Sequence, residues 1–404
     1  MRFAISILLF CLIGTALAVP VAADMRDKLL REYAIKNGIV RPSQLLPAIS
    51  EAKSAIGKRL FEETTLSLNG DISCKACHLD EFSSADGIPN AIGVLGKGKG
   101  VERVRSKGAI VPRNTLPLWG RGSTGFNVFF WDGKVDGTTG TIHSQFGDRA
   151  PSDSPLTVAV HLPFVEIREM VVDDDAVKNS LQKEEVSAAE QIYRLLVKRL
   201  QSNEELSIPL ARAFSIKPEQ IEFIHVAKSI AEFIRDNFQI RETKFHRFVF
   251  GNGTLSTNER AGGLIFYGKG RCSLCHNGPF FSDLAFHSVP FPQLGFGKNG
   301  FGIDYGRFNV TFDNRDTYKF RTPPLFNVAQ TAPYSHSGSI AELDDAIRLH
   351  FDPLQHFDSV NATLLERTQF YERLGAWAKE EVRPNVLSDS EVNQLVDFLM
   401  TLSF

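Results

Sequence analysis

Apolar residues recur along this chain mostly at spacings of three and four, the period of helices with one buried face. From Leu181 to Leu200, the residues Val186, Ala189, Ile192, Leu196 and Leu200 fall on one stripe. After Pro218, a second helix is marked by Ile221, Ile224, Ile230, Phe233 and Ile234. Ser256-Thr257-Asn258-Glu259 is a capping box and predicts a helix running to Phe266. Ser388-Asp389-Ser390-Glu391 is another, opening a final helix with Val392, Leu395, Val396, Phe398 and Leu399 inward. Alternating strand patterns are few and short. The expected fold is therefore mainly α, with long loops.

A weak internal repeat runs through the helical pattern. Gly57-Lys58-Arg59-Leu60-Phe61 and Gly263-Leu264-Ile265-Phe266 each precede a cysteine-bearing string. Phe250-Gly251-Asn252-Gly253 is the best linker between the halves. Gly96-Lys97-Gly98-Lys99-Gly100 lacks the spacing of a phosphate-binding loop and reads as a flexible basic loop.

The N-terminus has a different pattern. Arg2 precedes the apolar run Ala4 to Ile13, and Ala16-Leu17-Ala18 supplies small residues for cleavage, with Ala22-Ala23 a second option. This is the layout of a secretory leader over residues 1–23. The run is too short to span a bilayer comfortably, and no later stretch approaches the ~20 apolar residues required. A soluble, exported protein without a membrane anchor is expected, most consistent with a bacterial periplasm. The net charge of −2 over 404 residues gives no nucleic-acid footprint.

Of the five cysteines, Cys11 lies in the leader. The other four form Cys74-Lys75-Ala76-Cys77-His78 and Cys272-Ser273-Leu274-Cys275-His276. Each string reads C-x-x-C-H, the attachment signature of a c-type haem. The thiols add to the haem vinyl groups, and the adjacent histidine reaches one face of the iron. Zinc or redox C-x-x-C pairs do not account for a histidine directly after both. Two covalent haems are expected, and no thiol is left for a disulfide framework.

The sixth coordination position then decides function. A strong ligand there makes an electron shuttle, whereas an open position admits peroxide or oxygen. The remaining histidines are His143, His161, His225, His246, His287, His336, His350 and His356. Beyond Met25 the only methionines are Met170 and Met400.

Several strings make the chain resemble the bacterial di-haem cytochrome c peroxidases and their MauG-type relatives over most of its length after the leader. They include Pro112-Arg113-Asn114-Thr115, Phe130-Trp131-Asp132-Gly133, and Pro163 followed by Glu169-Met170. Phe245-His246-Arg247-Phe248, Phe280-Phe281-Ser282-Asp283 and Thr331-Ala332-Pro333-Tyr334-Ser335-His336-Ser337-Gly338 follow in the same order. The resemblance implies two cytochrome c-like haem domains, residues 24–240 and 241–404, with the haems facing each other across the interface.

It also implies roles. His78 is the expected proximal ligand of an N-terminal, peroxidatic haem, and His276 that of a C-terminal, electron-transfer haem. The distal ligand of the second haem is Met in the peroxidases and Tyr in MauG. The matching position here is His350, a departure from both, which should lower the reduction potential. Trp131 is the expected relay between the haems, and Pro163 and Glu169 belong to the distal pocket, with Glu169 as general acid/base. A calcium ion between the haems is expected on the Asn114 side chain and the carbonyls of Thr331 and Pro333.

The peroxidases often place a capping histidine between the first motif and the tryptophan. None lies between His78 and Trp131, so an open catalytic face at rest is expected. Two longer segments qualify this. Residues 138–155 contain His143, and His161 lies just before Pro163, which leaves either as a ligand. Residues 171–201 add helix, available as a homodimer, partner or substrate surface. Three functions follow: a peroxidase reducing hydrogen peroxide with electrons from a small cytochrome c or cupredoxin, a MauG-type oxidase acting on a partner protein through Trp131, or a plain electron-transfer di-haem cytochrome. Glu169 and the missing capping histidine disfavour the third.

Overall fold

Gly57 and Gly262 mark the two helix crossings on which the fold is built. The helix Glu51–Glu62 crosses the helix Phe223–Asn237 so closely at Gly57 that any Cβ there would strike the Ser229 carbonyl and Phe233. The helix Thr257–Tyr267 crosses the helix Asp389–Met400 in the same way at Gly262, where a Cβ would strike the Gln394 carbonyl and Phe398. Glycine therefore sets the helix separation at each crossing. Four residues on, Phe61 meets Phe233 and Phe266 meets Phe398, each with ring centroids 5.2 Å apart. The repeat is real, but its glycine is Gly262. Gly263, one position on, instead makes room for Leu30.

These coordinates are a computed structural model that describes residues 18–172 and 175–404. Residues 1–17, with the apolar run, Cys11 and most of the expected leader, lie outside the described residues. Among the described residues no helix is long and apolar enough to cross a membrane.

Both predicted capping boxes form. Ser256 accepts from the Glu259 N–H and Ser388 from the Glu391 N–H, and each glutamate returns to the serine backbone. In the final helix Val392, Leu395, Phe398 and Leu399 are buried, while Val396 is only half-buried. The pattern after Pro218 gives the helix Phe223–Asn237, with Ile230, Phe233 and Ile234 inside, whereas Ile221 precedes it at the end of the turn Pro218–Gln220 and Ile224 is half-buried. The stripe from Leu181 to Leu200 is not one helix. Glu184 adopts a left-handed backbone (φ 53°) and separates Asp175–Gln182 from Val186–Gln201. Ala189, Ile192, Leu196 and Leu200 are buried as expected.

The first described helix, Ala18–Lys36, packs on the far half of the chain. Leu30 fills the space at Gly263, Arg31 lies 4.1 Å over the Phe248 ring, and Asp27 pairs with Arg260. The expected linker is folded tightly, with the Gly251 and Gly253 N–H groups both donating to the Arg247 carbonyl. The basic loop is a loop, clamped by buried Arg103, which donates to the carbonyls of Ile92, Gly93 and Gly96.

Three two-stranded antiparallel ribbons occur among the described residues. One pairs Val128–Phe129 with Val135–Asp136 and carries Phe130-Trp131-Asp132-Gly133 in its turn. Phe130 and Gly133 take positive φ there (67° and 68°), and Arg307 donates to the carbonyls of Asp132 and Gly133. A second pairs Phe286–His287 with Phe320–Arg321, and the third pairs Phe296–Gly297 with Gly300–Phe301.

Candidate active site

Each C-x-x-C-H string begins as a single 3-10 turn, Cys74–Ala76 and Cys272–Leu274. The turn aims the following histidine, whose N–H returns to the first cysteine carbonyl. His78 Nδ1 lies 2.8 Å from the Ser84 carbonyl and His276 Nδ1 lies 3.0 Å from the Phe281 carbonyl. A carbonyl can only accept, so Nδ1 carries the proton and Nε2 is left with its lone pair. This is the arrangement that orients a metal-binding imidazole. His350 is prepared in the same way, with Nδ1 2.8 Å from the Ala346 carbonyl and the ring against Phe291. Burial first, and then the charge of His350, lower the His276 pKa to about 4.

Cys74, Cys77 and His78 line a cavity whose open space, mouth included, is about 1270 Å³. Its walls are largely apolar, with Phe61, Phe129, Leu156, Val160, Phe164 and Ile230 among them. Burial pushes the Cys74 thiol up to about 12 and raises Cys77 as well. These thiols are neutral rather than the low-pKa thiolates of a redox or zinc pair. Two neutral thiols and one imidazole with a free Nε2, set together in a largely apolar cleft, are a donor set that fits a covalently attached haem. The C-terminal string repeats the donor set, with Cys272 raised to about 12 by burial. Cys275, Asp283 and His287 also lie close together. However, hydrogen bonds from the His287 ring to Asp283 first, and to Cys275 and Glu380, hold His287 protonated well above its ordinary range, so it is a poor metal donor.

Two carboxylates face this cavity from one tight turn. The Glu166 carbonyl accepts from the N–H groups of Glu169, Met170 and Val171, each at 3.2 Å. The turn rests on Gly93, where a Cβ would strike the Arg168 carbonyl, and buried Met170 anchors it. Lys134 pairs with Glu166 at 2.6 Å, and Lys298 lies 3.8 Å from both Glu166 and Asp132. Burial would raise Glu166, but Lys134 and Lys298 outweigh it and bring its pKa to about 2. Glu169 is raised to about 7 by burial and then by the Glu166 charge, which the two lysines only partly offset. Behind this wall Arg113 donates to Asp132 at 2.5 Å and to both oxygens of Asp304 at 2.8 and 2.9 Å.

The expected residues fall as follows. Pro163 opens the 3-10 turn Pro163–Val165 on the cavity wall. Trp131 lines the cavity, donates from Nε1 to the Asn114 carbonyl at 2.9 Å, and accepts at its own carbonyl from the Arg321 N–H. It therefore sits where N-terminal and C-terminal segments meet. The Asn114 side-chain amide donates to the Pro333 carbonyl at 2.7 Å, and Thr331, two residues earlier, caps the 3-10 turn Val328–Gln330.

Neither spare histidine reaches the cavity. His143 is exposed on its loop beside Thr139. His161 is buried, bonded from Nδ1 to the Thr157 carbonyl and packed on Tyr193 and Phe223. Among the described residues, His78 is the only imidazole that lines the cavity. The sequence reading missed Lys134, Lys298 and the Arg113 network. Lys298 is far along the chain from Glu166 and carries no local signal.

The model of the family described as di-haem cytochrome c peroxidase matches residues 51–254. The chain is 26% identical to the cytochrome-c peroxidase IdrP2 of Denitromonas iodatirespirans, over 89% of this chain and 85% of that one. It is 24% identical to the methylamine utilization protein MauG of Methylorubrum extorquens, over 88% of this chain and 79% of that one. A MauG-like protein associated with microbial copper homeostasis has a similar fold, with a TM-score of 0.61 and 24% identity over 91% of this chain and 92% of the other.

Proposed function

The chain belongs to the di-haem cytochrome c peroxidase family, and from that premise we propose that it reduces hydrogen peroxide at the Glu169 cavity with electrons delivered through the C-terminal half. It is an oxidoreductase of the cytochrome c peroxidase type. The observation that carries the site assignment is Glu169, held near neutrality at about 7 on the wall of the cavity that also presents Cys74, Cys77 and His78.

Cys74, Cys77 and His78 would hold the N-terminal haem, and Cys272, Cys275, His276 and His350 the C-terminal one. When bound, the haems would supply redox-active iron, and His78 is the one imidazole that the described residues offer the N-terminal one. Reduction of peroxide to two waters consumes two electrons and two protons, and cleavage of the O–O bond requires a proton to pass from one oxygen to the other. A carboxyl with a pKa near the working pH can both accept and return that proton. Glu166 cannot, since its lysine partners keep it ionised. Its role is to hold Lys134 and to raise Glu169. Pro163, Phe164, Leu156 and Val160 keep the cleft apolar, which preserves the Glu169 shift. Trp131, at the seam of the halves, serves as the electronic relay.

The rest of the reading follows the same logic. Residues 1–23 would be a leader for export to the periplasm, leaving haem domains of about residues 24–240 and 241–404. Ca2+ would sit on Asn114, Thr331 and Pro333, bracing the seam. A small cytochrome c or cupredoxin would be the donor. Steady-state peroxide turnover with such a reduced donor tests the proposal; sustained consumption supports it, and none contradicts it. A second reading, oxidation of a partner protein through Trp131, is favoured by the cavity wall, where among the described residues His78 is the only imidazole. It would show as peroxide-dependent modification of that partner without turnover of a small donor.

A further inference from the structure

The wall of the Glu169 cavity is completed from the C-terminal half. Lys298 stands at the tip of the ribbon that pairs Phe296–Gly297 with Gly300–Phe301, and it lines the cavity together with Glu166 and Glu169. Its ammonium lies 3.8 Å from Asp132 Oδ2 and 3.8 Å from Glu166 Oε1, while Lys134 takes Glu166 Oε2 at 2.6 Å. Farther along the same loop, Asp304 accepts from Nε and Nη2 of Arg113, whose Nη1 holds Asp132. The loop therefore grips the wall at both ends. The charges alternate from Glu166 through Lys298, Asp132 and Arg113 to Asp304.

Backbone contacts fix this loop. A Cβ at Gly297 would strike the Ile303 carbonyl, which accepts from the Asn299 N–H at 3.1 Å. The Gly302 N–H donates to the Gly295 carbonyl at 2.7 Å, and Asn299 Oδ1 accepts from the Tyr305 N–H at 2.8 Å. From behind, buried Gln369 of the helix Leu364–Ala378 donates to the Phe301 carbonyl at 2.9 Å. The Lys298 ammonium is too far from either carboxylate for a hydrogen bond, so it acts by its charge.

The charges of the wall balance only with Lys298 in place. Asp132, Asp304 and Glu166 are matched by Arg113, Lys134 and Lys298. Glu169 has no ion pair among the described residues. Burial and the Glu166 charge favour its protonated form, and Lys134 and Lys298 oppose them. The other titratable groups of the cavity do not take the place of Lys298. Burial keeps the Cys74 and Cys77 thiols and the His78 imidazole neutral, and Arg121 donates to the Pro117 carbonyl. Without Lys298 one unbalanced negative charge would face Glu169, and the proton would be held more tightly.

We propose that residues 296–304 form a clasp by which the C-terminal half completes the peroxide site, with Lys298 as the positioning residue that keeps the Glu169 carboxyl ready to take up and release its proton. This rests on the reading of Glu169 given above.

The test uses the holoprotein and the variants Lys298→Gln, Lys298→Met and Lys298→Arg. Infrared difference titration follows the C=O band of the protonated Glu169 carboxyl, identified by its loss in Glu169→Gln. A wild-type protein without such a band titrating near pH 7 overturns the Glu169 reading itself. With that band in place, Lys298→Gln should titrate about one pH unit higher. The ionised carboxyl is what accepts the peroxide proton, so the rate on the acid limb should fall about tenfold while the alkaline plateau is kept. Lys298→Met carries the same prediction and replaces Lys298→Gln if that variant does not mature. Lys298→Arg keeps the charge and should titrate as wild type does. An unmoved titration in the neutral variants, or Lys298→Arg displaced as far as they are, overturns the clasp and leaves Glu169 as the proton carrier.

Discussion

Glu166 and Glu169 lie three residues apart on one cavity wall, and their surroundings drive their pKa values in opposite directions. Lys134 and Lys298 hold Glu166 ionised, with a pKa of about 2. Glu169, buried and facing the Glu166 charge, sits at about 7. Paired carboxyls whose environments push them apart in this way are how one site separates a fixed charge from a mobile proton.

The imidazole distribution predicts unlike irons. His350 is close enough to His276 for its charge to lower the His276 pKa, whereas among the described residues His78 is the only imidazole lining the N-terminal cavity. Electron paramagnetic resonance of the oxidised protein should show one high-spin and one low-spin ferric signal. His143→Ala should leave both unchanged, since His143 lies outside the cavity. Two low-spin signals would refute the open site.

His350→Ala should keep both covalent attachments, which need only Cys272, Cys275 and His276 at the second site. Its low-spin signal should turn high-spin, and electron delivery to the first site should fail. An unaltered low-spin spectrum would remove His350 as a ligand.

Trp131→Phe keeps an apolar ring at the seam but loses the oxidisable indole and its hydrogen bond to the Asn114 carbonyl. Peroxide consumption in a single turnover should survive, because the Glu169 cavity is intact. Oxidation of the second haem in rapid-freeze samples should slow. Wild-type speed with full turnover would make Trp131 a packing residue.

Arg113 joins two buried aspartates, so Arg113→Ala strands both charges. A loss of about 3–5 kcal/mol in denaturant unfolding is expected. The acid limb of stability has a second source in Glu166. Its pKa is lowered in the folded state from 4.5 to about 2, so its stabilisation is complete above 4.5 and lost as pH falls through 2. Glu166→Gln should flatten that limb of the melting-temperature profile. A loss below 1 kcal/mol for Arg113→Ala, or an unchanged acid limb for Glu166→Gln, would count against these roles.

What was legible in the sequence is what depends on local spacing. The C-x-x-C-H strings, both capping boxes and the stripe from Ala189 to Leu200 act over a few residues, and the structure keeps them. Glu169 was legible only through the order of strings around Pro163, since its elevated pKa comes from burial and from Glu166. Contacts between distant segments left no trace. Lys298 reaches Glu166 from a ribbon far along the chain, and Asp304 reaches Arg113 in the same manner. Leu30 sits at Gly263, which carries the first helix to the other half and moves the repeat's crossing point to Gly262. Glu184 broke a helix that periodicity alone ran through.

The most direct test of Glu169 as the proton carrier is the stopped-flow rate of peroxide reaction from pH 5 to 9, in wild type and Glu169→Gln. Gln preserves the shape of the side chain but can neither give nor take the proton. The wild-type profile should show an ionisation near pH 7, and the variant should lose that inflection and slow by about a hundred- to ten-thousand-fold. A variant that keeps both the inflection and a rate within a few-fold of wild type would contradict the assignment.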